Sequence, residues 1–140
     1  MARAGLYGAI LSVALAGTAL GAPVTIVVTN VESAKGDIMV AVCTEREFLG
    51  PHCTYNGKAP AKVGPVSITL EVPPGVYAVQ AYQDEDRNGE VTLNLLGIPK
   101  EPLGFSNNPT IGLSAPRFRE SAFTLGAMGA RVEIRLKRIL

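Results

Sequence analysis

The sequence predicts an all-β chain, an antiparallel β-sandwich of immunoglobulin-like or transthyretin-like type with six to seven short strands and one long packed loop. Three observations carry this: short β-branched runs with a period of two, Gly/Pro/Asn turn signals between them, and no three-turn helical pattern. The tryptophan and inter-sheet cysteine spacing of a true immunoglobulin domain are absent, so only the architecture carries over.

The first 21 of 140 residues read as a signal peptide rather than as fold. Arg3 supplies a basic start, Leu6 to Leu20 is apolar with small residues interspersed, and Ala19-Leu20-Gly21 suits cleavage after Gly21. What remains, residues 22–140, is the right size for a single β-sandwich domain with one core. Arg3 is the only charged residue removed, so the 13 Lys+Arg and 12 Asp+Glu of the whole chain become 12 of each. A balance near zero argues against nucleic acid or an anionic membrane held by bulk charge, and no membrane span is expected after cleavage. The destination is then the periplasm or the exterior, where Cys43 and Cys53 are expected to form one disulfide.

In chain order, Val24 to Asn30 is β-branched and short, a strand. Lys35-Gly36-Asp37 turns it, and Ile38 to Cys43 follows as a second strand, read as a hairpin partner or sheet neighbour of the first. Thr44 to Gly64 has no period; Thr44 to Phe48 is expected to form one helical turn that drops Phe48 into the core, and Lys58 and Lys62 to lie in a solvated loop. His52 reads as a surface residue within it. Val66 to Val72 alternates, with Val66, Ile68, Leu70 and Val72 on the buried face. Pro73-Pro74-Gly75 makes a tight turn, read as a hairpin, into the strand Val76 to Tyr82. The long loop Gly89 to Pro116 carries Leu93, Leu95, Leu96, Ile98, Leu103 and Phe105, which argue for packing rather than disorder. A strand near Ala122 to Leu125, a Gly126 to Gly129 turn and a strand Ala130 to Leu136, with Val132, Ile134 and Leu136 inward, complete the chain.

The candidate chemistry lies between Tyr82 and Asn108. Asp84, Asp86, Asn88, Gly89 and Glu90 reproduce the first half of a calcium loop, in which oxygen ligands alternate and glycine at the sixth position turns the backbone around a hard cation. Its second half is incomplete: Leu95 stands where a bidentate carboxylate belongs, with Thr92 and Asn94 as weaker donors and Glu101 in reach if it folds back. The candidate metal ligands are therefore Asp84, Asp86, Asn88 and Glu90, with calcium the ion. The competing reading is a plain turn in which Asp84 and Asn88 cap amides and Asn88-Gly89 takes positive φ. Tyr82, Glu101, Phe105, Ser106, Asn107 and Asn108 form a candidate binding surface for a protein, glycan or small molecule. No nucleophile, zinc or phosphate motif is present, so no catalytic residue is named. The function expected is an exported, non-catalytic binding or scaffolding module; the alternative is a hydrolase using two carboxylates at the same end.

The stretches PPGVYAVQAYQDEDRNGEV, LLGIPKEPLGFSNN and APRFRESAF resemble the exported bacterial family known as domain of unknown function 2141, across nearly all of the mature chain. The resemblance implies a small secreted or periplasmic β-sandwich with no established activity. Members usually carry His before the first Asp and Asp two residues after the position of Glu90; this chain has Gln83 and Thr92 there, two fewer ligands.

Overall fold

The computed structural model describes residues 20–139; all of the expected signal segment except Leu20 and Gly21 lies outside them. The described residues fold into eight strands: β1 (Ala22–Thr29), β2 (Asp37–Cys43), β3 (Tyr55–Pro60), β4 (Val66–Val72), β5 (Gly75–Asp84), β6 (Leu103–Phe105), β7 (Phe123–Leu125) and β8 (Ala130–Arg135). A short helix, α1 (Phe118–Ser121), precedes β7. One sheet has the order β4-β1-β8; the other runs β3-β2-β5-β6, with β7 beside the start of β5. Between them lies one core, in which Val24, Ile26, Ile38, Val42, Val79 and Ile134 are fully buried. An all-β sandwich is thus what the chain builds, with two strands more than the lower expected count.

Two expectations about pairing are corrected. First, β1 and β2 are not neighbours: β1 pairs with β4 and β8, whereas β2 pairs with β3 and β5. Both strands carry apolar residues on both faces, and such a strand satisfies its ladder with whichever partners the layering brings. Second, the Pro73-Pro74-Gly75 turn is no hairpin, because it takes the chain from one sheet to the other. The Tyr77 hydroxyl donates to the Pro73 carbonyl at 2.7 Å and pins this corner. The sheets are antiparallel-rich, as expected, with one parallel ladder: β1 and β8 run parallel from Val24 opposite Ala130 to Thr29 opposite Arg135.

The stretch expected as a solvated loop contains β3, paired to β2 from Asp37 opposite Pro60 to Val42 opposite Tyr55. Asn56-Gly57, a turn signal in sequence, here lies in mid-strand. A Cβ on Gly57 would sit 2.9 Å from Leu70 Cδ2 of β4, so the missing side chain lets the sheets close at that edge. At the opposite seam, Leu103 and Lys137 exchange backbone hydrogen bonds of 3.0 and 2.9 Å. Asn108 adds to that seam, accepting from Arg135 N at 2.8 Å and donating to the Glu133 carbonyl at 3.1 Å.

The period-two patterns of β4 and β8 hold: Val66, Ile68 and Val72, and Val132, Ile134 and Leu136, are buried, while Ser67, Thr69, Arg131 and Glu133 are exposed. The long loop divides. Leu103 and Phe105 are buried, but Leu93, Leu95 and Leu96 are exposed, Leu95 completely, contrary to the expectation of packing. Residues 93–99 close on themselves, with Leu93 bridged to Pro99 and the Asn94 carboxamide accepting from Leu96 N and Ile98 N at 2.9 and 3.0 Å. A loop satisfied from within has no need to press its leucines on the sheet.

Candidate functional site

Alternation along β5 sorts its residues onto two faces. Tyr77, Val79 and Ala81 enter the core between the sheets, so Ala78, Gln80, Tyr82 and Asp84 face outward. Leu103 and Phe105 of β6 stand directly opposite Tyr82 and Gln80 and share that outer face. Phe105 meets Phe48 edge-on at 5.8 Å, and Phe48 meets Phe118 at 5.7 Å. The helical turn after β2 forms as expected, but it delivers Phe48 to this outer cluster instead of the inter-sheet core.

Three loop segments rise around the outer face and leave a groove of about 720 Å³. Gln80, Tyr82, Leu103 and Phe105 form its floor; residues 49–52, residues 89–91 with Leu93, Gly97 and Pro99, and residues 111–115 form its walls. The first wall is built by the disulfide and one carboxylate. Cys43 and Cys53 are bonded, with Cα atoms 5.1 Å apart, as the sequence implied. Between them Glu47 accepts four hydrogen bonds: Thr44 N and Oγ1 at 3.0 and 3.1 Å, and Thr54 N and Oγ1 both at 2.7 Å. The Thr54 hydroxyl first, then the Thr44 amide, hold this carboxyl at about 2, far below its ordinary range. Leu49 N in turn donates to Gln80 Oε1 at 3.0 Å, tying the wall to the floor.

The second wall grows from the acidic turn. Asp84 is buried at the end of β5 and accepts from Asn88 N at 3.2 Å and Gly89 N at 2.8 Å. Glu101, also buried, folds back and accepts from Glu85 N at 2.6 Å and Thr92 N at 2.8 Å. These two carboxylates therefore shape the turn from inside, and neither lines the groove. Positive φ falls on Arg87 and Gly89 rather than on Asn88.

Ligand-type oxygens of Asp84, Asp86 and Glu101 lie within 4.8 Å of one another. Glu90 is not among them. Asn88 Oδ1 accepts from Glu90 N at 3.0 Å, and Glu90 is exposed on the groove lining. Gln83 points to the opposite side of the strand, donating to the Ser33 and Lys35 carbonyls at 3.2 and 2.8 Å.

Of the candidate binding surface, Tyr82 and Phe105 line the groove. Ser106 is buried and joins Val79 N to the Ser121 carbonyl; Asn107 donates to the Glu120 and Ala122 carbonyls, and Asn108 serves the seam. Burial first, then the carboxylates of Asp84, Glu101, Glu90 and Asp86, push the Tyr82 phenol up to about 12. Sequence reasoning missed Leu49, Gln80, Val91 and Leu113 as groove residues. For Gln80 the signal was available, two residues before Tyr82 on one strand. The others sit in aperiodic loops where no pattern marks a facing direction.

These features define a small, disulfide-clipped β-sandwich that presents a loop-walled groove on the outer face of its larger sheet. Residues 26–133 match the family model DUF2141, described as an uncharacterized protein conserved in bacteria, and the chain belongs to that family. No curated protein and no solved structure matches it significantly. Among the described residues, no helix is long and apolar enough to cross a membrane.

Proposed function

We propose that this chain is an exported, non-catalytic binding module whose ligand occupies the outer groove. The groove itself carries the reading: a concavity of about 720 Å³, floored by Tyr82, Leu103 and Phe105 and rimmed by exposed Leu49, Leu93 and Leu113, suits a ligand with an apolar body. Export is supported by the disulfide and by the start of β1 at Ala22, so that cleavage after Gly21 would remove no strand residue. The binding test uses Nile red, a neutral apolar dye, with the mature chain. Saturable binding is expected, lost in Leu113→Asp and kept in Leu95→Asp, since Leu113 lines the groove and the still more exposed Leu95 does not. Equal binding by both variants would refute the groove as the site.

A second reading is favoured by the convergence of Asp84, Asp86 and Glu101: a structural calcium ion that shares their remaining lone pairs and stiffens the turn. Thermal melting with calcium and with chelator decides it, because an ion bound only by the native state raises the melting temperature. Identical melting curves would sink this reading.

A further inference from the structure

The groove lining carries a fixed charge without a counter-charge. Glu90 lines it, is exposed, and takes part in no ion pair among the described residues. No lysine or arginine lines it among those residues. Two arginines around the acidic turn are paired elsewhere: Arg87 with Asp37 at 3.5 Å, and Arg138 with Glu85 and the Lys100 carbonyl, both at 2.8 Å. Asp84, Asp86 and Glu101 cluster beyond Tyr82 and deepen the negative potential at this end.

An anionic headgroup would meet Glu90 and these acids as like charges. A neutral apolar ligand would take water from Glu90 and return no partner. A cation would pair with the carboxylate and lie against the electron-rich face of an aromatic ring on the floor. We propose that the groove binds an amphiphilic cation, its apolar body against Leu103, Phe105 and Leu113 and its amine or quaternary ammonium head beside Glu90 and Tyr82.

This inference rests on the groove being the ligand site, and the experiment separates the two. Three probes with one tail, decyltrimethylammonium, decyl maltoside and decyl sulfate, are titrated against Nile red on the mature chain below their micelle-forming concentrations. The cation is expected to displace the dye at a concentration at least about fivefold lower than the neutral probe, as for a charge-assisted contact at a partly wet site, with the sulfate weakest. Glu90→Gln, whose exposed position predicts unchanged melting, should abolish the cation's advantage over the neutral probe. Equal or tighter binding of the neutral or anionic probe, or an unaltered cation preference in Glu90→Gln, overturns the charge selectivity while the groove reading stands. Failure of all three probes to displace the dye, or displacement unchanged in Leu113→Asp, overturns the groove reading and this inference with it.

Discussion

Substituting Glu47 by Gln tests how the first wall of the groove is held. The carboxylate accepts four hydrogen bonds from Thr44 and Thr54, and a glutamine offers an acceptor to only one of those pairs and turns an N–H₂ toward the other. A fall of the carboxyl from 4.5 to about 2 corresponds to about 3 kcal/mol for a fully shielded group. Glu47 is partly open to water, and solvent screening reduces this to about 1 kcal/mol. For a domain of this size that is about 4 °C in melting temperature at pH 7. The pH dependence has a definite sign. The folded carboxyl is depressed, so its stabilisation is complete above about pH 4.5 and disappears as the pH falls toward 2. Melting curves of wild type and Glu47→Gln, recorded by circular dichroism from pH 7 to pH 2, should converge at the acid end. Because the variant lacks only this titrating group, the difference isolates it from other carboxylates. A gap of constant size across that range, or no gap at pH 7, refutes the assignment of the loop's stability to this carboxylate.

Three further outcomes are expected. Removing the disulfide as the Cys43→Ser, Cys53→Ser double variant should cost about 2.5 kcal/mol, from the closure entropy of a ten-residue separation, read by urea unfolding; wild-type stability would show that Glu47 alone holds the wall. Gly36→Ala should fail to fold, because φ is 70° and a Cβ there would overlap the Asp84 carbonyl oxygen at the base of the acidic turn; a soluble variant with native melting would refute that close approach. In ultraviolet titration Tyr82 should ionise near 12, identified by its loss in Tyr82→Phe, and its contribution to stability should fall as the pH rises from 10 to 12. Ionisation of Tyr82 near 10 would refute the burial of this phenol beside the carboxylates.

Much of the fold was legible locally. Val66 to Val72 and Ala130 to Leu136 announce a buried and an exposed face through period two, and a two-faced strand can be stable only against a second layer. The same logic failed for β3, whose Gly57 carries no side chain to mark a face and whose role is to let Leu70 approach. It failed again for the leucines of 93–99, because a loop that meets its own hydrogen bonds leaves apolar side chains outside at little cost. The acidic turn was half legible. Spacing named Asp84 and Asp86, but Glu101 enters from 15 residues beyond Asp86, and only the pairing of β5 with β6 brings it back.

The sequence by itself determined that the chain is all-β, that its two cysteines pair, that Asp84 to Glu90 makes a turn, and that the family is DUF2141. Each of these depends on neighbours within a few residues or on a motif read in order. Which strands pair, the parallel β1–β8 ladder, the crossing of the chain at Pro73-Pro74-Gly75 and the groove over Tyr82 and Phe105 were decided only in three dimensions. A strand's partner is chosen by the total burial of both layers, and a groove is the space that distant loops leave between them, so neither is written in any single stretch of chain.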